Sequence, residues 1–379
     1  DNESRLLVPL GELIEEYNVR KKETENLPIL SSTMSGIYLQ TEYFTKNTAS
    51  ENTTGYKKVP QGYFTYRSMS DTGAFTFNIQ ELVPEGIVSP AYPVFRANDL
   101  SSKYLYYYLN HSSAFKNELL KSKQGGTRYA LSIKLFKELK IIVPSKLEQE
   151  KIGNFLSLFD RLLEKINEKI ELLKELKKGY LQKIFPAKGE KVPRIRFRGF
   201  IEDWERFEFG KLVFKVSSGS ENKILPRVEY EDINSGEGTL NKDIYKRDNP
   251  KRGTLFSSGD ILFGKLRPYL KNWLLTEFEG IAVGDFWVLR PKDFHSKFIY
   301  SLIQSKEFLN IANQSKGSKM PRSDWALVAK SRFCVPLGKF EQEKIGNFLS
   351  IFDEKIEKYL KTKNLIQSLK KGYMQRLFA

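Results

Sequence analysis

Two basic loops carry the side chains of this sequence that are best suited to bind nucleic acid. The first, SKQGGTRYALS, spans 122–132, and the second, SKGSKMPRSDW, spans 315–325. Each combines lysine and arginine with glycine, serine or threonine, and an aromatic residue. Glycine permits close approach of the backbone, and arginine can bind a phosphate or pair with guanine in bidentate fashion. The loops therefore predict DNA contacts, and a solvated surface loop without a ligand is the simpler alternative.

A further basic stretch, 242–272, holds eight lysines or arginines against three aspartates, with tyrosine and phenylalanine between them. The matching place nearer the N-terminus, 63–67, carries fewer charges, and 193–200 is a basic linker. The net charge of +16 also favours a polyanionic partner. The residues predicted to contact DNA are Tyr66, Arg67, Lys123, Gln124, Thr127, Arg128, Tyr129, Arg247, Lys251, Arg252, Lys265, Arg267, Lys316, Lys319, Arg322 and Ser323.

Motifs of catalysis are missing from the sequence. It contains no GxxxxGK[ST] phosphate loop, no [DNS]PP[YFW] tetrapeptide of adenine methyltransferases and no glycine-rich turn after a clear strand. His111 and His295 are interpreted as surface or capping residues, and Cys334 as a core residue. The carboxylates show no clustering typical of a metal site. We therefore expect a protein without catalytic residues, metal or cofactor.

The elements that position these loops are set by an internal repeat. The ten residues EQEKIGNFLS occur at 148–157 and again at 341–350, and 22 of the 38 pairs between 148–185 and 341–378 are identical. Weaker similarity upstream defines two tandem halves, roughly 11–185 and 210–378. A period this long indicates duplicated domains rather than a solenoid.

Each repeated segment has the pattern of one long helix. Apolar residues recur every seven positions, beginning with Ile152, Phe159 and Ile166, and neighbouring apolar positions widen the stripe. Ser145 starts the first helix and Pro186 ends it. Antiparallel pairing of the two helices is predicted, and packing of each helix on its own domain is the alternative. The repeated polar residues predict docking of the same external partner by both copies: Gln149, Lys151 and Asn154, with Gln342, Lys344 and Asn347.

Composition limits the remaining possibilities. With 379 residues, 40% apolar and 13% aromatic, the chain has room for two or three globular domains. A single cysteine fits a reducing compartment, and the sequence shows neither a leader pattern nor an apolar run of membrane-spanning length. We therefore expect a cytoplasmic protein.

A strand-rich domain ending in Val-Pro, then a long helix opening with EQEKIGNFLS and closing with KKGY, twice in one chain, closely resembles the specificity subunit of type I restriction–modification systems. The resemblance implies an α+β fold in which two α/β target-recognition domains are separated by two long antiparallel coiled-coil helices, as a pseudo-twofold tandem repeat. By this interpretation 1–145 and 210–337 are the recognition domains, 146–186 and 338–379 are the conserved helices, and 187–209 is the basic linker.

The resemblance further implies a non-catalytic subunit that binds double-stranded DNA. Each recognition domain would read one half of a bipartite site, and the helices would set the gap and dock two methyltransferase subunits. Motor–endonuclease subunits would join through the complex. S-adenosylmethionine, ATP and magnesium are expected only in partner subunits, with no cofactor in this chain. The alternatives are a self-contained DNA-modifying enzyme with degenerate motifs and a coiled-coil scaffold that binds no DNA.

Overall fold

The computed structural model describes residues 6–43, 53–121, 129–187, 189–246, 251–314 and 320–378. The chain forms two compact units, of which the first comprises 1–165 with 363–379 and the second comprises 166–362. Each unit therefore holds one globular domain together with parts of both long helices. The sequence predicts the helices as segments separate from the recognition domains, whereas the compact units divide each helix between them.

Short strands and helices build the first globular domain, as the apolar runs bounded by glycine, proline and asparagine predict. Its strands are β1 (Leu6–Pro9), β2 (Ile14–Glu16), β3 (Leu30–Thr33), β4 (Gly36–Leu39), β5 (Lys57–Pro60), β6 (Phe64–Thr65), β7 (Met69–Ser70), β8 (Asn78–Ile79), β9 (Glu85–Val88), β10 (Val94–Ala97), β11 (Tyr129–Ala130) and β12 (Lys140–Val143). Its helices are α1 (Leu10–Leu13), α2 (Gln40–Tyr43), α3 (Ser102–His111), α4 (Ser113–Lys121) and α5 (Ile133–Glu138). The sheet β2-β10-β6-β8 is antiparallel, and further antiparallel pairs are β1–β12, β3–β4, β5–β9 and β7–β11.

Aromatic rings fill the core of this domain. Phe64 stacks on Phe95 with ring centroids 5.0 Å apart, and Phe77 stacks on Phe136 at 5.2 Å. Tyr66 lies among them with no exposed surface, and its hydroxyl donates to the carbonyl of Leu131 at 3.2 Å. Large buried aromatic side chains contribute much of the apolar area that stabilises a domain of this size.

The second globular domain repeats this plan with longer strands. After the first long helix, α6 (Lys146–Ile184), its elements are β13 (Glu205–Glu208), α7 (Phe209–Leu212), β14 (Val213–Val216), β15 (Gly219–Ser220), β16 (Arg227–Val228), β17 (Gly253–Phe256), β18 (Ile261–Gly264), β19 (Trp273–Leu275), β20 (Gly280–Ala282), β21 (Phe286–Pro291), α8 (Ser296–Ile303), α9 (Lys306–Ala312), α10 (Trp325–Lys330) and β22 (Arg332–Val335), followed by α11 (Lys339–Leu377). Single 3₁₀ turns occur at Tyr230–Asp232, Ile244–Lys246 and Pro268–Leu270.

Two four-stranded sheets lie in this domain. The order β14-β21-β18-β19 is antiparallel throughout, and β15-β17-β20-β16 ends in a parallel pair between β20 and β16. Phe263 stacks on Trp287 with centroids 5.6 Å apart in the core behind the first sheet. The apolar runs GDILFGKL (259–266) and FWVLR (286–290) predict strands, which β18 and β21 confirm.

The sequence also predicts helical runs at 101–121 and 295–312. Both runs are present, and each is broken once. The breaks follow His111 in the first domain and Ile303 in the second. Ser305 caps the new helix by accepting from the amide of Phe308, and the Ser112 hydroxyl accepts from the amide of Phe115. Serine favours such capping over helix interiors, which explains why each run forms two short helices.

The two long helices are confirmed, with 39 residues each. In the first unit, Phe155 and Phe159 of α6 pack on Tyr373 of α11, with ring centroids 5.0 and 5.9 Å apart. Residues near the N-terminus of α6 thus contact a residue near the C-terminus of α11, so the helices run antiparallel within this unit.

The second unit makes the same contacts with the roles of the helices exchanged. Phe348 and Phe352 of α11 pack on Tyr180 of α6 at 4.9 and 5.6 Å. Ile170 and Leu173 pack with Ile356 nearby. Because Phe348, Phe352 and Tyr180 are the repeat equivalents of Phe155, Phe159 and Tyr373, the duplicated sequence produces duplicated antiparallel ring contacts.

Candidate nucleic-acid interface

Two stretches that are distant in the sequence meet at one edge of the second domain. Residues 265–271 follow strand β18, and residues 320–323 precede helix α10. The Arg267 amide donates to the Pro321 carbonyl at 2.7 Å, and the Ser323 amide donates to the Lys265 carbonyl at 2.8 Å. Leu266 and Arg322 form an antiparallel bridge between these bonds. We call these two stretches the second-domain edge.

A carboxylate organises the cations of the second-domain edge. Asp285 accepts from Arg322 Nη2 at 3.0 Å and from Arg322 Nε at 3.4 Å, and Lys265 Nζ lies 3.6 Å away. The hydrogen bonds from Arg322 lower the pKa of Asp285, so this carboxylate stays charged. The Arg322 side chain is still half exposed. Asp285 therefore fixes the plane of the guanidinium while leaving much of it accessible to a ligand.

The turn at 267–271 has an unusual backbone. Arg267 (φ 47°) and Lys271 (φ 57°) both adopt the left-handed conformation, on either side of the 3₁₀ turn Pro268–Leu270. Non-glycine residues with this geometry are uncommon and concentrate at functional sites. The turn exposes both cations together with Tyr269. Among the residues that the structure describes, no carboxylate lies within ion-pairing distance of Arg267 or Lys271.

Tyr230 stabilises this turn by a hydrogen bond to the residue before it. Its hydroxyl donates to the carbonyl of Leu266, and its ring packs against Phe286. A Cβ atom on Gly264 would lie 2.7 Å from the Tyr230 ring, so glycine is required for this close approach. Burial raises the pKa of Tyr230 to about 12, which keeps the hydroxyl a hydrogen-bond donor at physiological pH.

The first domain has a corresponding edge, formed by residues 68–70 and 129–131. The Leu131 amide donates to the Ser68 carbonyl at 2.8 Å, as Ser323 does to Lys265, and β11 pairs with β7. In this register Ala130 pairs with Met69, and the equivalent pair in the second domain is Arg322 with Leu266. Matching the two basic loops by sequence position pairs Arg128 with Arg322, whereas the hydrogen-bond register aligns Ala130 with Arg322. We call this the first-domain edge.

Tyr129 belongs to the first-domain edge, where it lies against Gly73. A Cβ on Gly73 would come within 3.1 Å of the Tyr129 ring, and Gly73 has φ +81°, so only glycine fits this turn. Arg67 is exposed beside this edge. Tyr66, in contrast, is a core residue without exposed surface and has no route to DNA, because the sheet is covered on both faces at this strand.

The other predicted contact residues fall into three groups. Lys251 pairs with Glu229 at 3.1 Å, and Arg252 lies 3.8 Å from Glu221, both at the start of β17 in the second sheet. Ser323 is a correction, because it is buried and its hydroxyl donates to the Ala312 carbonyl. The remaining group lies outside the described residues: Lys123, Gln124, Thr127, Arg128, Arg247, Lys316 and Lys319.

Two of the predicted docking residues have an internal role instead. Gln149 is buried, accepts from the Ser101 amide at 3.0 Å and donates to the Pro144 carbonyl at 2.9 Å. Gln342 is buried likewise and bridges the His295 amide and the Pro336 carbonyl. Each glutamine ties its long helix to its own domain, and this geometry explains why both copies keep it.

The neighbouring repeated residues also serve this packing. A Cβ on Gly153 would lie 2.8 Å from the Lys103 Cβ, and a Cβ on Gly346 would lie 2.8 Å from the Lys297 Cβ. Glycine thus lets α3 and α8 approach the long helix closely. Lys151, Asn154, Lys344 and Asn347 are exposed; Asn154 accepts from Lys103 Nζ at 2.9 Å, and the Lys344 ammonium lies 5.4 Å from the centre of the Phe197 ring.

Sequence reasoning missed Asp285, Tyr269 and Lys271 as members of the second-domain edge. A signal for the turn was present, because Arg-Pro-Tyr-Leu-Lys interrupts a strand pattern. Asp285 gave no signal, since its role depends on a contact with a residue 37 positions away. Within the described ranges, no group of three or more histidine, cysteine, aspartate or glutamate side chains could hold a metal ion. In the same part of the chain no helix is long and apolar enough to cross a membrane.

Comparisons with known proteins agree with this architecture. Residues 8–174 match the family model described as the type I restriction modification DNA specificity domain. The MjaVIII and MjaIX type I restriction enzyme specificity subunits of Methanocaldococcus jannaschii are 27% and 28% identical to the chain over 297 residues. Each match covers 71% of this chain, and 68% and 66% of the two relatives, so the matched region spans about two thirds of their length.

Solved structures show the same fold. The type I restriction–modification S subunit from M. genitalium superposes with a TM-score of 0.63 at 16% identity, covering 100% of this chain and 97% of the other. A chain from a study of complex assembly and conformational transition of the type I system gives 0.53 at 15% identity, covering 99% and 98%. Residues 8–174 are therefore similar to the DNA specificity domain of type I restriction–modification systems, and the described fold is that of the solved S subunits.

Proposed function

We propose that this chain gives a type I restriction–modification complex its DNA specificity, with each globular domain reading one half of a bipartite site. One observation supports this most strongly. An equivalent backbone hydrogen bond is present at both edges, but the residue that precedes its donor is Ala130 in the first domain and Arg322 in the second. A constant frame with different side chains suits two domains that read two different half-sequences.

The chemistry of the second-domain edge fits a contact with DNA. Arg322 is exposed and held in one plane, which suits bidentate pairing with guanine O6 and N7. Arg267 and Lys271 are exposed on the strained turn and suit phosphate oxygens. Phosphate contacts fix the position of a protein on the duplex, and base contacts select the sequence. We assign the first role to the turn and the second to Arg322.

The long helices are proposed to set the gap between the half-sites. Helices α6 and α11 each run without interruption from one compact unit into the other. A continuous helix has a fixed rise per residue, whereas a flexible linker does not. The proposed gap is therefore a property of helix length.

The helices are also proposed to dock two methyltransferase subunits. Because Gln149 and Gln342 are internal, the better candidates are apolar residues exposed at equivalent positions of both copies. These are Leu158 and Ile351 (46% and 44% exposed), Leu172 and Leu365 (52% and 60%), and Leu176 and Leu369 (45% and 45%). Exposed apolar side chains at matched positions suit a partner that binds twice. Methylation and cleavage, with S-adenosylmethionine, ATP and magnesium, are assigned to partner subunits, and this chain is proposed to be non-catalytic.

Substitution of Arg322 tests the proposal. The Arg322→Ala variant, assembled with its methyltransferase, should lose about 1–3 kcal/mol of discrimination at one base pair of one half-site. Methylation of oligonucleotides mutated in one half-site at a time measures this. Arg332→Ala is the matched control, since Arg332 is also exposed but lies in β22, which pairs with β13. An equal loss on every sequence would mean that Arg322 binds phosphate and does not read a base.

A further inference from the structure

A largely buried ion pair joins three helices in the second unit. Lys177 Nζ of α6 donates to Asp353 of α11, 2.6 Å from Oδ1 and 2.8 Å from Oδ2. The same ammonium donates to Gln304 Oε1 at 2.5 Å, at the C-terminal end of α8. Lys177 is 8% exposed and Gln304 is 7% exposed, so both side chains are held by these partners rather than by water.

The first unit contains the same ion pair with a different third partner. Lys370 of α11 pairs with Asp160 of α6. The Tyr107 hydroxyl of α3 donates to the same aspartate, and the Lys370 ammonium lies 5.2 Å from the centre of the Tyr107 ring. Thus α6, α11 and a helix of the globular domain again meet at one pair of charges.

These charged residues are equivalent positions of the sequence repeat. Asp160 and Asp353 are 193 residues apart, as are Lys177 and Lys370, and all four lie in segments that are identical in the two copies. The third partner instead comes from the globular domain and differs between the copies. The repeat therefore preserves the charge pair, while each domain supplies its own contact to it.

A buried ion pair contributes little net stability compared with an apolar pair of similar volume, because both charges lose their hydration. Its best-attested role is to select one register, since any slip leaves a charge buried without a partner. In each unit, a slip of α6 against α11 would separate the lysine from the aspartate. A slip of the domain helix would break the bond from Lys177 to Gln304 in the second unit and the bond from Tyr107 to Asp160 in the first.

We infer that the pairs Lys177–Asp353 and Lys370–Asp160 are positioning residues that hold each globular domain on the helix pair in a single register. The inference rests on the proposed function, in which that register determines the gap between the half-sites. Gln304 and Tyr107 connect the globular domains to these ion pairs. No contact of these residues with DNA is needed for this role.

The test replaces the charge pair by an apolar pair. The double variant Lys177→Met/Asp353→Leu should remain folded, because no charge is left unpaired. Spin labels at Lys178→Cys and Lys306→Cys, in a Cys334→Ser background, report the distance between α6 and α9 within the second unit. We expect a single narrow distance distribution in the parent chain and a broadened or split one in the double variant. An unchanged distribution in the folded double variant would overturn the inference.

A second variant covers the possibility that the double variant fails to fold. Gln304→Leu keeps the ion pair and removes only the contact from α8, so it should also broaden the distribution; if it leaves the distribution unchanged, the inference fails. Methylated sites are then mapped for each variant in the assembled complex. The half-sequences should stay the same, and the single gap should be lost. If the parent complex shows no bipartite site, the proposed function fails, and the spin-label result still decides the positioning role.

Discussion

Lengthening both long helices by four residues should lengthen the gap between the two half-sites. The change duplicates residues 164–167 in α6 and the equivalent residues 357–360 in α11. Contacts of the first unit, such as Phe155 with Tyr373, lie before the insertion in α6 and after the insertion in α11. The reverse holds for Tyr180 with Phe348 in the second unit. Matched insertions therefore leave these ring contacts in register.

The magnitude follows from helix geometry. Four residues add about 6 Å of rise and rotate the helix by about 40° beyond one full turn. On B-DNA this rise corresponds to about 1.5–2 base pairs, at about 3.4 Å per base pair. The apolar stripe stays nearly in phase, because four residues are close to one turn of 3.6. The gap should therefore grow by one or two base pairs while both half-sequences remain unchanged.

The assay maps methylated adenines in a genome from cells that carry the variant with its methyltransferase. Two controls accompany it. An insertion in α6 alone shifts Tyr180 against Phe348, and a two-residue insertion rotates the stripe by about 200°, so both should abolish assembly. An active variant with matched insertions and an unchanged gap would refute the claim that the helices set the spacing.

Three further predictions concern charge. DNA affinity should fall steeply with salt, with log K declining by about 0.9 per phosphate contacted per decade of salt, because the chain carries a net charge of +16; a salt-independent affinity in binding titrations would contradict this. Asp285→Asn should release Arg322 and weaken discrimination in the same half-site as Arg322→Ala, with little change in melting temperature, whereas an effect on the other half-site would disprove the link. Burial lowers the pKa of His111 to about 4, so the unfolded chain binds the proton more tightly. The free energy of unfolding should therefore fall as the pH drops from about 6.5 towards 4, and His111→Gln should flatten this fall in urea unfolding experiments.

The long helices were predictable because their apolar period persists over many turns. Short strands were harder, since β6 and β8 have two residues each and provide little alternation. Tyr66 illustrates the limit. In a half-buried strand it would alternate with its neighbours, but Phe64, Thr65 and Tyr66 are all buried because both faces of the sheet are covered.

The binding residues were predicted only in part, for two physical reasons. Loop position does not determine strand register, so Arg128 was matched with Arg322 where the hydrogen bonds place Ala130. Identity between the copies was interpreted as a shared external partner, whereas Gln149 and Gln342 bind the backbone of their own domains. Both errors arise from tertiary contacts that no local pattern encodes.

Two different domains of this chain are proposed to read two half-sites at a fixed gap. The most direct measurement maps every methylated adenine in a genome carrying this chain and its methyltransferase. The same map is made for a variant in which residues 210–337 are replaced by the second recognition domain of a related specificity subunit. We expect a bipartite motif with one gap, in which the replacement changes one half-sequence and leaves the other half-sequence and the gap intact. A contiguous motif, or a replacement that alters both half-sequences, would contradict it.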